Sequence, residues 1–418
     1  MKDAHTPHQL IACSGCGLTQ SQPLPLPKRG VGRCRRCAMV LFRRHPNSLD
    51  RALAFTLTGF IFFLIAIHHP LMAFEIHGRM REATLLSAVA GIAERGMPGL
   101  GTLVAATSIL VPLITLSSML YILLPLRSGP PMPGAKPLMK SISHLRHWGM
   151  MEVYLLGAMV AFVKLADLAA ITPGIALFAI GGMIVATTAA AASLDNREIW
   201  ERLDAGSAIP PSPKPNPTRI TCCPICHLTL PAPKPGGVIA CHRCRTISHP
   251  RKPNSLRRTW AWLIAAVILY IPANLLPVMT VVGFGHYGEP DTILSGVQKL
   301  LEEGMWPLAL LVFFASIVVP LLKIASLVYL LISVQIKSHT KPKDRTILYR
   351  ILEGVGRWSM VDIYVIAVMV ALVNFGPIAT ITPGVGASFF AAVVVMTLFA
   401  AETFDSRLIW DVLEKPHG

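Results

Sequence analysis

The chain has 418 residues, of which 53% are hydrophobic and 14% charged, against roughly 25% charged in an ordinary soluble domain. That balance excludes a soluble globular protein and points to a polytopic membrane protein. The formal net charge of +16 would raise nucleic acid as a partner of a soluble chain, but its placement argues against nucleic acid. Residues 1–52 and 195–258 carry +7 each and segments 125–147 and 335–357 carry +4 each, whereas 73–99 and 283–306 sum to 0 and −3. Basic segments beside membrane spans stay cytoplasmic, so both termini are expected in the cytoplasm and 73–99 and 283–306 on the far side.

Taken in chain order, the first 50 residues are polar and Pro-rich and lack the apolar core and cleavage site of a signal peptide. Nothing in them marks the amino terminus for removal. They hold Cys13, Cys16, Cys34 and Cys37 as two CxxC pairs separated by 17 residues, the spacing of a zinc ribbon in which each pair offers two thiolates from a tight turn. Four apolar stretches of spanning length follow, near Leu53–Met72, Leu100–Leu124, Met150–Leu168 and Gly174–Leu194. The Pro-rich segment 204–217 is a linker.

Beyond it the sequence repeats itself at an offset of about 207 to 210 residues. Cys223, Cys226, Cys241 and Cys244 form the second pair of CxxC motifs, and Pro46-Asn-Ser-Leu49 recurs as Pro253-Asn-Ser-Leu256. Ile171-Thr-Pro-Gly174 answers Ile381-Thr-Pro-Gly384, and Asp195-Asn-Arg197 answers Asp405-Ser-Arg407. The matching spans lie near Trp260–Val282, Pro307–Val334, Met360–Ile378 and Val385–Ala401. An even number of spans per unit makes the repeats parallel. The expected fold is therefore an all-α polytopic membrane protein of two tandem parallel units of four transmembrane helices, each preceded by a small cytoplasmic zinc-ribbon domain. The boundaries are ribbon 1 at 1–48, unit 1 at 49–203, the linker at 204–217, ribbon 2 at 218–254 and unit 2 at 255–418.

Two Zn per chain are the expected cofactors, held by four thiolates each in closed structural sites. A reducing compartment suits this use of cysteine. Redox iron or a thiol sensor is the alternative, since Arg33, Arg35, Arg36, His242 and Arg243 stand beside the thiols. Ionisable residues at membrane depth are functional candidates because burying them is costly. They are Glu152, Lys164 and Asp167 in unit 1, and Lys323, Asp362 and Glu402 in unit 2, with Asn374 and Thr397 as uncharged companions. Lys164 and Asp167 stand at i, i+3 and can pair; Lys323 sits deep in its span, with Asp362 as the expected counter-ion. Glu152, Asp362 and Glu402 also fit the headgroup zone, and Trp148, Trp358, Tyr154 and Tyr364 fit an interfacial aromatic belt. Pro70, Pro112, Pro277 and Pro320 read as kinks. No GxxxxGK[ST], HExxH or GxSxG motif occurs, so an enzyme is not expected.

Tandem ribbons each followed by four helices, with Arg357-Trp-Ser-Met-Val-Asp362, Glu289-Pro-Asp-Thr-Ile-Leu-Ser-Gly296 and Asp405-Ser-Arg-Leu-Ile-Trp-Asp411, resemble the paraquat-inducible protein A family and, within it, the LetA (YebS) branch. The resemblance covers nearly the whole chain; the extra Cys222 departs from it. It implies a multi-pass protein in the inner membrane of a Gram-negative bacterium. Its implied partner is a periplasmic MCE-domain protein that forms a tunnel for phospholipid between inner and outer membranes. The polar positions it matches are Lys164, Asp167, Lys323, Asp362 and Thr397. A membrane redox or stress-sensing protein and a purely structural anchor for the tunnel are the competing expectations.

Overall fold

The structure, a computed structural model, describes residues 8–23, 29–76, 79–146, 148–166, 170–204, 220–233, 237–283, 290–356, 358–373 and 379–413. The expected linker therefore lies almost wholly outside the described residues, as do Asp167 and Asn374. Most of the described chain is helical, and among the described residues seven helical runs are long and apolar enough to cross a membrane: Ser48–His68, Pro98–Ser128, Ile175–Ser193, Ser255–Leu275, Trp306–Gln335, Val385–Thr403 and Pro342–Leu372, the last divided into helices Pro342–Val355 and Val361–Leu372. The expected span at Met150–Leu168 is present as a helix over Met151–Ala166, with residues 167–169 outside the described residues. It packs against Val361–Leu372. There Gly157 lets the backbones meet, since a Cβ on it would stand 2.7 Å from that of Tyr364.

Both Pro-Asn-Ser-Leu motifs are helix starts. Asn47 and Asn254 adopt the left-handed conformation, with φ of 55° and 51°, and the helices begin at the following Ser48 and Ser255. Asparagine tolerates that conformation better than most residues, which explains why the helices start several residues before the apolar runs. Pro112 and Pro320 each follow a five-residue π turn, at Ala106–Leu110 and Phe314–Val318. Proline lacks an N–H and its ring clashes with the carbonyl four residues back, and a π turn accommodates both defects without ending the helix.

The all-α expectation needs correction outside the ribbons. Met72–Ile76 pairs antiparallel with Arg79–Ala83 and with Ala170–Pro173, and Met279–Gly283 pairs likewise with Pro290–Asp291 and Ala379–Pro383. Residues 279–282, expected to finish a span, are thus in a strand. Pro70 and Pro277 end the preceding helices, and the Ile-Thr-Pro-Gly motifs return beside them. A Cβ on Gly174 or Gly384 would stand 2.1 or 2.2 Å from the carbonyl oxygen of Pro70 or Pro277, so glycine is required there. The basic segments expected to be loops contain amphipathic helices at Ala135–Leu145 and Pro342–Val355.

The expected aromatic belt is half wrong. Tyr154 and Tyr364 are fully buried at the centre of the molecule, with ring centroids 5.3 Å apart in an edge-to-face contact, and the Tyr364 hydroxyl donates to Thr107 Oγ1 at 2.7 Å. Trp358 is exposed. Trp148 is half-buried against Phe399.

The ribbons are crossed over. The first, four strands between His8 and Arg44, packs its cysteines into one cluster with Leu327, Leu330, Tyr349, Phe404 and Trp410 of the second half. The second packs its cysteines with Leu49, Ile122, Met139 and Trp200 of the first half. The ribbons also touch each other, Thr229 Oγ1 donating to the Leu10 carbonyl at 3.1 Å. Where each ribbon joins its following helix, the chain is held by its own half: Arg44 pairs with Glu201 at 3.1 Å, and Arg251 Nε donates to Asp411 Oδ2 at 2.9 Å.

Candidate metal centres and an intramembrane cleft

Each CxxC turn is built the same way. The amide of the first cysteine donates to a carbonyl five residues on, as in Cys13 to Leu18 and Cys223 to Leu228, both at 2.9 Å. The residue after the second cysteine is left-handed in all four turns: Gly17, Ala38, His227 and Arg245, with φ of 77°, 57°, 54° and 55°. Three of the four are not glycine, so the surrounding structure enforces the geometry. The result brings Cys13, Cys16, Cys34 and Cys37 together, and Cys223, Cys226, Cys241 and Cys244 together, with the sulfurs of each group within 4.8 Å of one another.

Their spacing discriminates between chemistries. Cys13–Cys37 and Cys16–Cys34 stand at 3.6 Å, and Cys223–Cys244 and Cys226–Cys241 at 3.5 Å. A disulfide requires about 2.05 Å, whereas a tetrahedron with ~2.3 Å metal–sulfur bonds sets its sulfurs roughly 3.8 Å apart. All nine cysteines are free and buried, and both groups fit a four-thiolate metal ion that keeps no open position for a substrate. Hydrogen bonding within each group pulls the Cys37 and Cys244 thiols down and pushes the Cys13 and Cys226 thiols up, so a cation would be needed to hold all four as the thiolates that ligation requires. Cys222 stands apart: its thiol meets the Cys223 carbonyl at 3.6 Å, and burial pushes it up to about 11.

The second site is a small cleft of about 70 Å³ lined by residues of both halves, among them Val160 and Lys164 from the first and Asp291, Leu308, Val312 and Asp362 from the second. That is smaller than the ~300–1,000 Å³ of small-molecule sites. Its walls are largely apolar, with three charged groups converging on them. Lys164 has Asp291 and Asp362 as charged neighbours. Asp291 is itself paired with Lys299 at 2.6 Å, and this pair stands where the outer strand passes into the Ile293–Glu302 helix, whose start Thr292 and Ser295 cap reciprocally. Ser316 of the second π turn lies beside Asp362 and donates to the Val312 carbonyl at 2.7 Å, while Asp362 Oδ2 is buried without a hydrogen-bond partner among the described residues.

This geometry corrects the expected Lys323–Asp362 pair. Lys323 is 2% exposed, and its ammonium donates to Thr397 Oγ1 at 2.9 Å and to the Gly356 carbonyl at 3.5 Å. Asp362 is not among its partners; it belongs to the cleft with Lys164. Thr397 and Lys323 therefore do meet, as a separate polar contact within the second half. Asp291 and Ser316 were missed in the sequence. Asp291 sits in an acidic loop outside the spans, and one serine in an apolar helix carries no signal of its own. Glu152 and Glu402 are exposed, in keeping with the headgroup zone.

The fold is that of a multi-pass membrane protein with two four-thiolate centres and a charged cleft between its membrane halves. The chain belongs to the paraquat-inducible protein A family, whose model matches residues 49–204 and again 256–414. It is 34% identical over 415 residues to the intermembrane transport protein PqiA of Escherichia coli K12, covering 98% of each chain. It is 32% identical over 403 residues to the lipophilic envelope-spanning tunnel protein A of the same strain, covering 96% of this chain and 91% of the other. A probable intermembrane transport protein of Haemophilus influenzae is 28% identical over 415 residues, 98% of this chain and 97% of its own. No solved structure matches the chain.

Proposed function

We propose that the protein is the inner-membrane component of a transport system that exchanges phospholipid with a periplasmic MCE-domain tunnel. Two tandem parallel units would place both termini and the ribbons in the cytoplasm, and each ribbon would hold one Zn. The charge alternation supports this orientation, and the names of the relatives support intermembrane transport. The observation that carries the reading is the cleft. Its apolar walls suit an acyl chain, which the cleft would have to widen to admit, while Lys164 offers a cation for an anionic headgroup. A purely structural anchor has no use for such a group, and closed four-thiolate centres disfavour the redox reading.

The test is reconstituted transport with Lys164→Ala and Asp362→Ala. Each should lower lipid transfer at least about tenfold, the worth of one lost charge-assisted hydrogen bond of ~1.5 kcal/mol or more, at normal abundance. Transfer at the wild-type rate by both variants would leave the anchor reading standing.

A further inference from the structure

The first thiolate centre is touched by the opposite membrane half. Arg350, on the amphipathic Pro342–Val355 helix of the second half, brings its Nη2 to 3.2 Å from Cys37 Sγ. The same half reaches the turn below, where Ser406 Oγ donates to the Gly15 carbonyl at 3.1 Å. A Cβ on Gly15 would come within 2.7 Å of Met39 Sδ and 3.5 Å of Arg350 Nη2, so the turn is pressed closely against that side chain. Arg36 lies over the Trp410 ring, 4.7 Å from its centroid, which grips the ribbon from the other side of the CxxC turn. The helix carrying Arg350 is anchored in turn, Tyr349 donating to the Ala401 carbonyl at 3.0 Å.

The second centre is built differently. There the side chain on a thiol is the ribbon's own Thr246, 3.3 Å from Cys244 Sγ, and the position 210 residues before Arg350 is occupied by Lys140. The arginine of the second ribbon's CxRC turn, Arg243, pairs with Asp204 of the first half at 2.5 Å and stays off the sulfurs.

We propose that Arg350 is a positioning residue of the first metal centre, an outer-sphere donor from the second membrane half that sets how tightly the first ribbon keeps its ion. A divalent ion with four thiolates carries net charge −2, and a guanidinium N–H on one sulfur both neutralises part of that charge and orients the ligand. The two centres are then unequal: retention at the first depends on the Arg350 guanidinium donated to Cys37 by the second half, and retention at the second depends on no such donor. This rests on reading the thiols as metal ligands, and failure of that reading shows separately, as a purified protein without two metal ions per chain.

The experiment uses full-length protein in detergent, loaded with two Zn per chain and challenged with a chelator, with the freed thiols of each ribbon alkylated and counted by peptide mass spectrometry. Arg350→Gln should weaken Zn retention at Cys13, Cys16, Cys34 and Cys37 by about 10- to 100-fold, the usual effect of losing an outer-shell partner, and leave the second centre as in wild type. Arg350→Lys, which keeps a cationic donor, should recover most of the loss and stands in if the Gln variant does not accumulate. Ser406→Ala, which removes a ribbon tether without touching a sulfur, should leave first-centre retention unchanged. The proposal is overturned if retention at the first centre is the same in Arg350→Gln as in wild type. Equal losses at both centres, or an equal effect of Ser406→Ala, would also overturn it by reducing Arg350 to a docking contact.

Discussion

Two aspartates at equivalent places in the repeat show how context decides what a residue does. Asp405, 3% exposed, accepts from Arg407 Nε at 2.9 Å and Nη2 at 2.8 Å and from the Lys252 amide at 2.8 Å. Burial alone would raise its pKa, but the Arg407 hydrogen bonds outweigh burial and hold it below the ordinary 3.8. Asp195 accepts from the Arg197 amide at 3.0 Å and has Arg44 Nε only at 3.6 Å, so burial dominates and its pKa is raised above 3.8. The lowered group stabilises the fold above its unfolded pKa of about 4, and that contribution is lost as pH falls through its folded value. The raised group does the opposite: its ionisation costs stability at neutral pH, and acidification relieves the cost. Asp405→Asn should therefore destabilise by about 1.5–3 kcal/mol at pH 7, whereas Asp195→Asn should be neutral or stabilising, with the difference between the variants shrinking as pH falls below about 4. Thermal unfolding of both variants across that range checks the sign. Asp-x-Arg was visible twice in the sequence, but the unequal reach of its arginines was not, because Arg407 turns onto Asp405 while Arg44 reaches Asp195 from the neighbouring ribbon strand.

Helices were legible from apolar length, and their irregularities only in part. Pro112 and Pro320 announced a disturbance, yet a kink and a π turn are indistinguishable in sequence, since both answer the same missing N–H. The π turn has a consequence that a kink lacks: the first presents Thr107 to Tyr364, and the second packs on the Val361–Leu372 helix that carries Asp362. Pro320→Ala restores the donor and removes the ring clash. The variant should be as stable as wild type or more so, while lipid transfer falls about tenfold as the π turn packed on the Asp362 helix straightens; melting curves and transfer rates on one preparation check both halves of this expectation. The short outer strands escaped notice for a different reason. Met279–Gly283 continues an apolar run, and a strand of five residues inside such a run has no periodicity to separate it from helix. The recurring Ile-Thr-Pro-Gly was seen, but its role as strand end and close-packed helix start needed the Pro70 and Pro277 carbonyls above it.

At the scale of the molecule, the four-thiolate groups were fully legible, because the chemistry that joins two CxxC pairs is local and specific. The crossing of the ribbons was not, since a chain that repeats itself offers each ribbon two similar seats, and only packing decides between them. The same crossing of information explains the cleft. Its cation and its carboxylate stand in different copies of the repeat, Lys164 in one and Asp362 in the other, so a search for partners within one copy assigned Asp362 to Lys323. On the proposed function, these features meet in a cleft between the two halves whose apolar walls and cation would take a lipid. The direct measurement is a photoreactive amino acid at Val312 in the cleft, with Phe178, 69% exposed on the outer surface, as the reference position. Irradiation in native membranes followed by mass spectrometry should give a phospholipid adduct at both positions, and Lys164→Glu should abolish the adduct at Val312 while leaving that at Phe178. An empty Val312 beside a labelled Phe178 in the wild-type protein would contradict the account.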